Sequence, residues 1–237
     1  MRDHNRNRSS RPIIRREIVK ESLMPELELV SNAALRQKVV DAWTLSCSMG
    51  GYKRLEDIPT ECFEQMPKIS NIDHQKGTAH IAVAMARSLK DLGVQLNVDY
   101  VAAGALCHDV GKPIEWRNGQ RGIYSTATGA GTFYGENQKM PSFAKHSSFQ
   151  IARHPVWGFY VAVAVGMPDH VVHIISAHSL EGQFLFRSRE ALIVKESDEI
   201  WWEQVAYQVN GKWPDVESPL SKGRVYRYRK LDWRKGR

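Results

Sequence analysis

Residues 100–109, Tyr-Val-Ala-Ala-Gly-Ala-Leu-Cys-His-Asp, carry apolar side chains on nearly every side of a helix and then stop at a histidine and an aspartate. A helix that is apolar all round is stable only when it is surrounded, so this segment belongs at the centre of the molecule. Asp99 is placed to cap its start, and Gly111 and Pro113 supply the stop signal. Neighbours on a helix point about 100° apart, which keeps two adjacent side chains from serving one ion in mid-helix. At a helix end that limit relaxes, and His108 and Asp109 project together from the carboxy-terminal rim. Buried polar groups there need partners, and Lys112 follows at once with a positive charge.

Helical spacing recurs on both sides. Leu35, Val39, Ala42 and Leu45 define a helix over about residues 32–48, with Ser31 or Asn32 as its cap and Gly50-Gly51 as its end. Ile81, Met85, Leu89 and Leu92 define another, which Thr78 can cap and Gly93 stops. Further helical patterns cover about 148–166, 168–180 and 188–208, while Pro59 and Pro67 mark 52–72 as irregular. Strand signals are confined to the ends, above all the alternating aromatic and basic run 223–233. The fold class is therefore all-α.

The charge of +7 sits at the ends. Residues 1–20 hold seven Lys/Arg against Asp3 and Glu17, and residues 221–237 hold eight against Asp232 alone. The organisation expected is a basic arm over 1–20, a domain over 21–210 and a basic extension over 211–237. Basic ends can neutralise phosphates of nucleic acid, but solvated termini explain them as well and are the preferred reading. Cys47, Cys62 and Cys107 show no paired spacing, which fits a reducing cytoplasm. No apolar run reaches the ~18–20 residues of a membrane span. Segment 114–148, with Gly119, Gly122, Gly129, Gly131 and Gly135 among Trp116, Tyr124, Phe133 and Tyr134, reads as an insertion covering the site. Its Gly129-Ala-Gly131 has no preceding strand, so it is not read as a phosphate loop.

All nine histidines except His4 fall between His74 and His178. Neutral imidazole offers a nitrogen lone pair near physiological pH and is the commonest metal ligand. Candidate ligands here are too dispersed for a local zinc finger and can meet only inside a helical bundle. The run Ala102-Ala-Gly-Ala-Leu-Cys-His-Asp-Val-Gly-Lys112 resembles the signature of the HD superfamily of metal-dependent phosphohydrolases. His80, His154 in a His-Pro-x-x-Gly context, His178 and Asp198 resemble that family's further ligands in order. His80 is preferred to His74, which lies ahead of the expected helix; His154 is preferred to His146, and Asp198 to Glu196 and Glu199. His170 and His173, on one helix face, remain minor candidates.

The resemblance implies an HD-domain helical bundle. It implies one divalent ion (Fe, Mn, Co, Ni, Mg or Zn) on His80, His108, Asp109 and Asp198, and a second on Asp109, His154 and His178. Asp109 and Lys112 would serve catalysis. The activity implied is hydrolysis of a small phosphorylated substrate, a phosphomonoester or phosphodiester, with a nucleotide as one candidate. An HD-type di-iron oxygenase that cleaves a carbon–carbon or carbon–phosphorus bond is the alternative, and a non-catalytic nucleotide or nucleic-acid binding module the third reading. His178 is followed by Ser179, not by a second histidine, and no Gly-Tyr-Pro follows, so the cyclic-dinucleotide branch of the family is not expected.

Overall fold

The computed structural model describes residues 14–58, 70–115 and 152–210. Most of the basic arm, nearly all of the glycine-rich segment and the whole run 223–233 lie outside the described residues. Among the described residues every element is helical.

Helix α1 (Arg16–Leu23) buries Val19 and Leu23, one turn apart, and Ile14 just before it is buried too. The fold thus begins inside the stretch read as an arm: the arginines mask an apolar pair at i, i+4 spacing. Helix α2 (Ala33–Gly50) starts where the Asn32 side chain accepts a hydrogen bond from the Leu35 N–H, and it ends at Gly51 with φ 80°. That left-handed conformation is the reason a glycine stands there.

Helix α3 (Asn71–Asp91) begins well before its apolar stripe, capped by Ser70, whose hydroxyl accepts from the Asp73 N–H. Its first turns bury Asn71, His74, Gln75 and Thr78. An inward face made of polar residues gives no hydrophobic period, which is why the stripe understates the helix. Helix α4 (Val98–Cys107) is the expected central helix, and every residue from Val101 to Cys107 is buried. Its cap is Asn97, which accepts from the Asp99 and Tyr100 N–H groups. The Asp99 carboxylate instead accepts from the Ser31 N–H and hydroxyl and the Asn32 N–H, tying the start of α2 to the start of α4.

A short turn of helix, α5 (Lys112–Glu115), follows and is buried throughout, so Ile114 and Glu115 belong to the bundle and not to the segment read from the sequence as an insertion. Beyond residue 151 come α6 (His154–Ala164), α7 (Asp169–Ala177) and α8 (Arg189–Asn210). Helices α2, α3, α7 and α8 all pack against α4. Trp43 on α2 is fully buried and donates its indole N–H to the Leu106 carbonyl at 2.8 Å. A side chain at Gly104 would collide with Ile174, so α4 and α7 approach closely. No described helix is long and apolar enough to cross a membrane.

Candidate metal centre

The chain leaves α4 at Cys107, and the next two residues, His108 and Asp109, sit where four other helices deliver side chains. His74 comes from the second turn of α3, His154 is the first residue of α6, His178 follows the last residue of α7, and Asp198 lies in α8. Asp109 divides its carboxylate between two groups. Its Oδ2 lies 3.5 Å from His74 Nε2 and 3.6 Å from His108 Nε2. Its Oδ1 lies 3.1 Å from His154 Nε2 and 3.6 Å from His178 Nε2. Asp198 Oδ1 completes the first group at 3.1 Å from His74 Nε2 and 3.8 Å from His108 Nε2. The donor atoms in each histidine–Asp109 group lie within 4.8 Å of one another.

Ring orientation decides what these groups can hold. His108 donates Nδ1–H to the Ala105 carbonyl and His178 donates Nδ1–H to the Ile175 carbonyl, both at 2.8 Å. His154 donates Nδ1–H to Glu115 Oε2 at 2.9 Å. In a neutral ring this leaves Nε2 as a bare lone pair. Three such nitrogens therefore face the oxygens of one carboxylate, and His74 Nε2 stands 3.0 Å from His108 Nε2. Asp198 Oδ1 is buried with no hydrogen-bond donor. Lys112 and the Asn71 amide donate to Asp109 Oδ2, but Asp109 Oδ1 faces the Nε2 lone pairs of His154 and His178 with no proton between them, and acceptors so placed repel one another. A cation relieves that repulsion, and mixed imidazole and carboxylate donors suit divalent transition metals. The residues fit the metal the resemblance implies.

Electrostatics agree with this. Burial holds His108 down to about 3, against an ordinary 6.5, despite the opposing pull of Asp109 and Asp198. Burial likewise lowers His154, outweighing Asp109 and Glu115. Burial by itself would raise Asp109, but Lys112 first, then His108 and His154, keep it well below the carboxylate range. Lys112 Nζ, itself buried, lies 2.8 Å from Asp109 Oδ2. His108 and His154 are thus held neutral and Asp109 ionised, the forms that bind metal.

A pH effect on the metal-free protein follows. An unfolded chain protonates this histidine near pH 6.5, while the folded one waits until about 3. Stability therefore falls as the pH drops through that window, by ~1.4 kcal/mol per pH unit for this group. The melting temperature of chelator-treated protein should decline from pH 6.5 to pH 4.5; a flat profile would contradict the buried neutral ring.

The structure brings His108, Asp109, His154, His178 and Asp198 together and sets Lys112 against Asp109. It does not bring His80. That side chain is 60% exposed and pairs with Glu26 Oε1 at 3.1 Å. His74 takes its place, because α3 starts early enough to contain it, and six residues further on a helix faces elsewhere. Among the other candidates, His170 stacks on Tyr100, and His173 accepts from the Ser188 N–H. Glu196 and Glu199 both pair with Lys195. His4 and His146 lie outside the described residues. Reading the sequence also missed Asn71, whose amide reaches Asp109 Oδ2 at 3.4 Å, Gln75, whose amide lies 3.4 Å from His108 Nε2, and Glu115. The capping pattern Ser70-x-x-Asp73 was the available signal for the first two, since it places the helix start ahead of them.

His74→Ala should weaken metal binding by more than the ~10–100-fold that losing an outer partner costs. His80→Ala should leave binding unchanged and move stability by no more than ~0.5 kcal/mol. Metal titrations of the two variants check this, and a reversed pattern would restore His80.

A bundle whose interior gathers two abutting His/Asp groups at the end of a buried helix defines a helical protein with a site able to hold metal. The chain matches the HD domain family over residues 71–200, more than half of its 237 residues, and that span includes every side chain of the centre. It belongs to the HD-domain family. No curated protein and no solved structure matches it.

Proposed function

We propose that this chain is a metal-dependent phosphohydrolase acting on a small phosphorylated substrate, a phosphomonoester or phosphodiester, with a nucleotide among the candidates. The observation that carries this reading is the division of Asp109, one oxygen toward each pair of histidine Nε2 atoms. His74, His108, Asp109 and Asp198 would hold one ion, and Asp109, His154 and His178 a second. When bound, such ions polarise phosphoryl oxygens and supply a nucleophilic water at neutral pH.

The chain's own residues prepare that chemistry. Lys112 keeps Asp109 ionised and offsets the negative charge of that buried carboxylate, which otherwise would repel an anionic substrate. The three Nδ1–H bonds fix the rings before any ligand arrives, so little reorganisation is left to the reaction. The Asn71 and Gln75 amides border the first group and can donate hydrogen bonds to oxygens held there. Buried Cys47 and Cys107, both free thiols, are in keeping with a reducing cytoplasm.

The test is elemental analysis of purified protein, then a screen of phosphomonoesters and phosphodiesters with Mn²⁺ or Co²⁺, with and without oxygen. Phosphate release that continues anaerobically is the expected result. Activity that requires iron and consumes oxygen would move the chain to the oxygenase reading. Salt-sensitive binding of nucleic acid with no turnover would leave only a binding module.

A further inference from the structure

Of the three rings held through Nδ1, two are backed in the same way. His108 and His178 each follow the end of a helix and donate to the carbonyl three residues earlier, on the helix they leave. His154 cannot do this. It opens α6, so no carbonyl of that helix precedes it, and Arg153 at the cap position makes no side-chain capping bond. Its backing comes from another helix. Glu115 Oε2 accepts from the His154 backbone N–H at 2.8 Å and from the His154 ring Nδ1–H at 2.9 Å. Glu115 is 2% exposed.

We propose that Glu115 is the positioning residue of the Asp109–His154–His178 group, clamping both the backbone and the ring of His154 so that Nε2 faces Asp109 Oδ1. This rests on the metal-site reading above, and Glu115 is not among the residues that the resemblance to the HD superfamily singled out. One oxygen serving two donors of the same residue fixes the ring twice, since the backbone bond anchors the carboxylate and the side-chain bond selects the tautomer. A carboxylate at the first residue of α6 is also favoured by the positive end of the helix dipole. Being charged, it makes its ring a stronger electron donor than the carbonyls make His108 and His178. The clamp further joins the described chain on either side of residues 116–151, so the placement of His154 is set by α5.

Glu115→Ala removes both acceptors, and Glu115→Gln keeps the shape and one acceptor while removing the charge. Calorimetric titration of each with Mn²⁺ should show one of two binding steps weakened, roughly 10–100-fold in the alanine protein and less in the glutamine protein, with the other step unchanged. His154→Ala should weaken that same step at least as much as Glu115→Ala does, and adding Glu115→Ala to it should cost nothing more. Histidine ¹⁵N spectra of metal-free protein should show His154 protonated at Nδ1 in the native chain and redistributed in Glu115→Ala. Two unchanged binding steps in the alanine protein, or an equal loss with His154 already removed, would overturn the proposal. A native protein that takes up no Mn²⁺ would instead sink the metal-site reading, and the spectra would still decide whether Glu115 sets the ring; an unaltered tautomer refutes it.

Discussion

Asp109→Asn protein is expected to fold, to take up no metal at either group, and to lose turnover by at least ~10²–10³-fold, the scale of removing one preorganised charge-stabilising group. Lys112 Nζ at 2.8 Å requires an acceptor at the Oδ2 position, so the amide oxygen stays there and the amide nitrogen replaces Oδ1. That nitrogen then donates toward His154 Nε2, which lies 3.1 Å from Oδ1 in the native chain. The second group is thereby closed by a hydrogen bond, and the first loses its charged oxygen. Asn removes the charge but keeps a hydrogen-bond acceptor for the buried ammonium, whereas Ala leaves it with neither and carries the full ~3–5 kcal/mol cost of a broken buried ion pair, so Asn is a cleaner probe than Ala. Thermal melts give the readout: Mn²⁺ at 100 times its dissociation constant stabilises the native protein by about 2.7 kcal/mol. In a chain this size that raises the melting temperature by roughly 5–11 °C. The variant should show no rise. A rise equal to the native one would remove Asp109 from the centre.

How much of this was legible from residues alone varies with the kind of signal. The central helix was, because an apolar circumference admits a single environment, and α4 is buried from Val101 to Cys107. The all-α class was too, since the α2, α6, α7 and α8 patterns have a 3.6-residue period. What escaped were faces whose inward residues are polar. Asn71, His74, Gln75 and Thr78 look like a solvated stretch in a hydrophobicity pattern, yet all four are buried and the first three line the centre, and the missed start of α3 turned His74 into His80. Glu115 was out of reach for another reason. Its partner His154 is 39 residues away, and a hydrogen bond between helices leaves no spacing in the sequence. Asp99 shows the same limit: its residue type announced a cap, but the helix it serves is α2, 67 residues from its partner Asn32.

Gly111→Ala is the second change expected to have a large effect, and space is the whole cause. Gly111 does not have a positive φ, so an alanine could adopt its backbone conformation. A Cβ there would stand 2.0 Å from the His154 carbonyl oxygen and 2.6 Å from the Gly158 nitrogen. Both are backbone atoms of the first turns of α6, and no rotamer change clears them. The helix must move as a body, and His154 moves with it, away from Asp109 Oδ1 and Glu115. The expected cost is ~3 kcal/mol, at the upper end for overpacking, or roughly 6–12 °C in melting temperature, together with weakened binding of one ion. Gly93→Ala is the control with the opposite character. Its φ of +87° strains a side chain, but nothing lies within 4 Å, so it should cost only ~1–2 kcal/mol and leave metal binding untouched. Equal metal affinity in both variants would mean that the approach of α5 to α6 does not set the second group, and the glycine of His108-Asp-Val-Gly-Lys112 would then need another explanation.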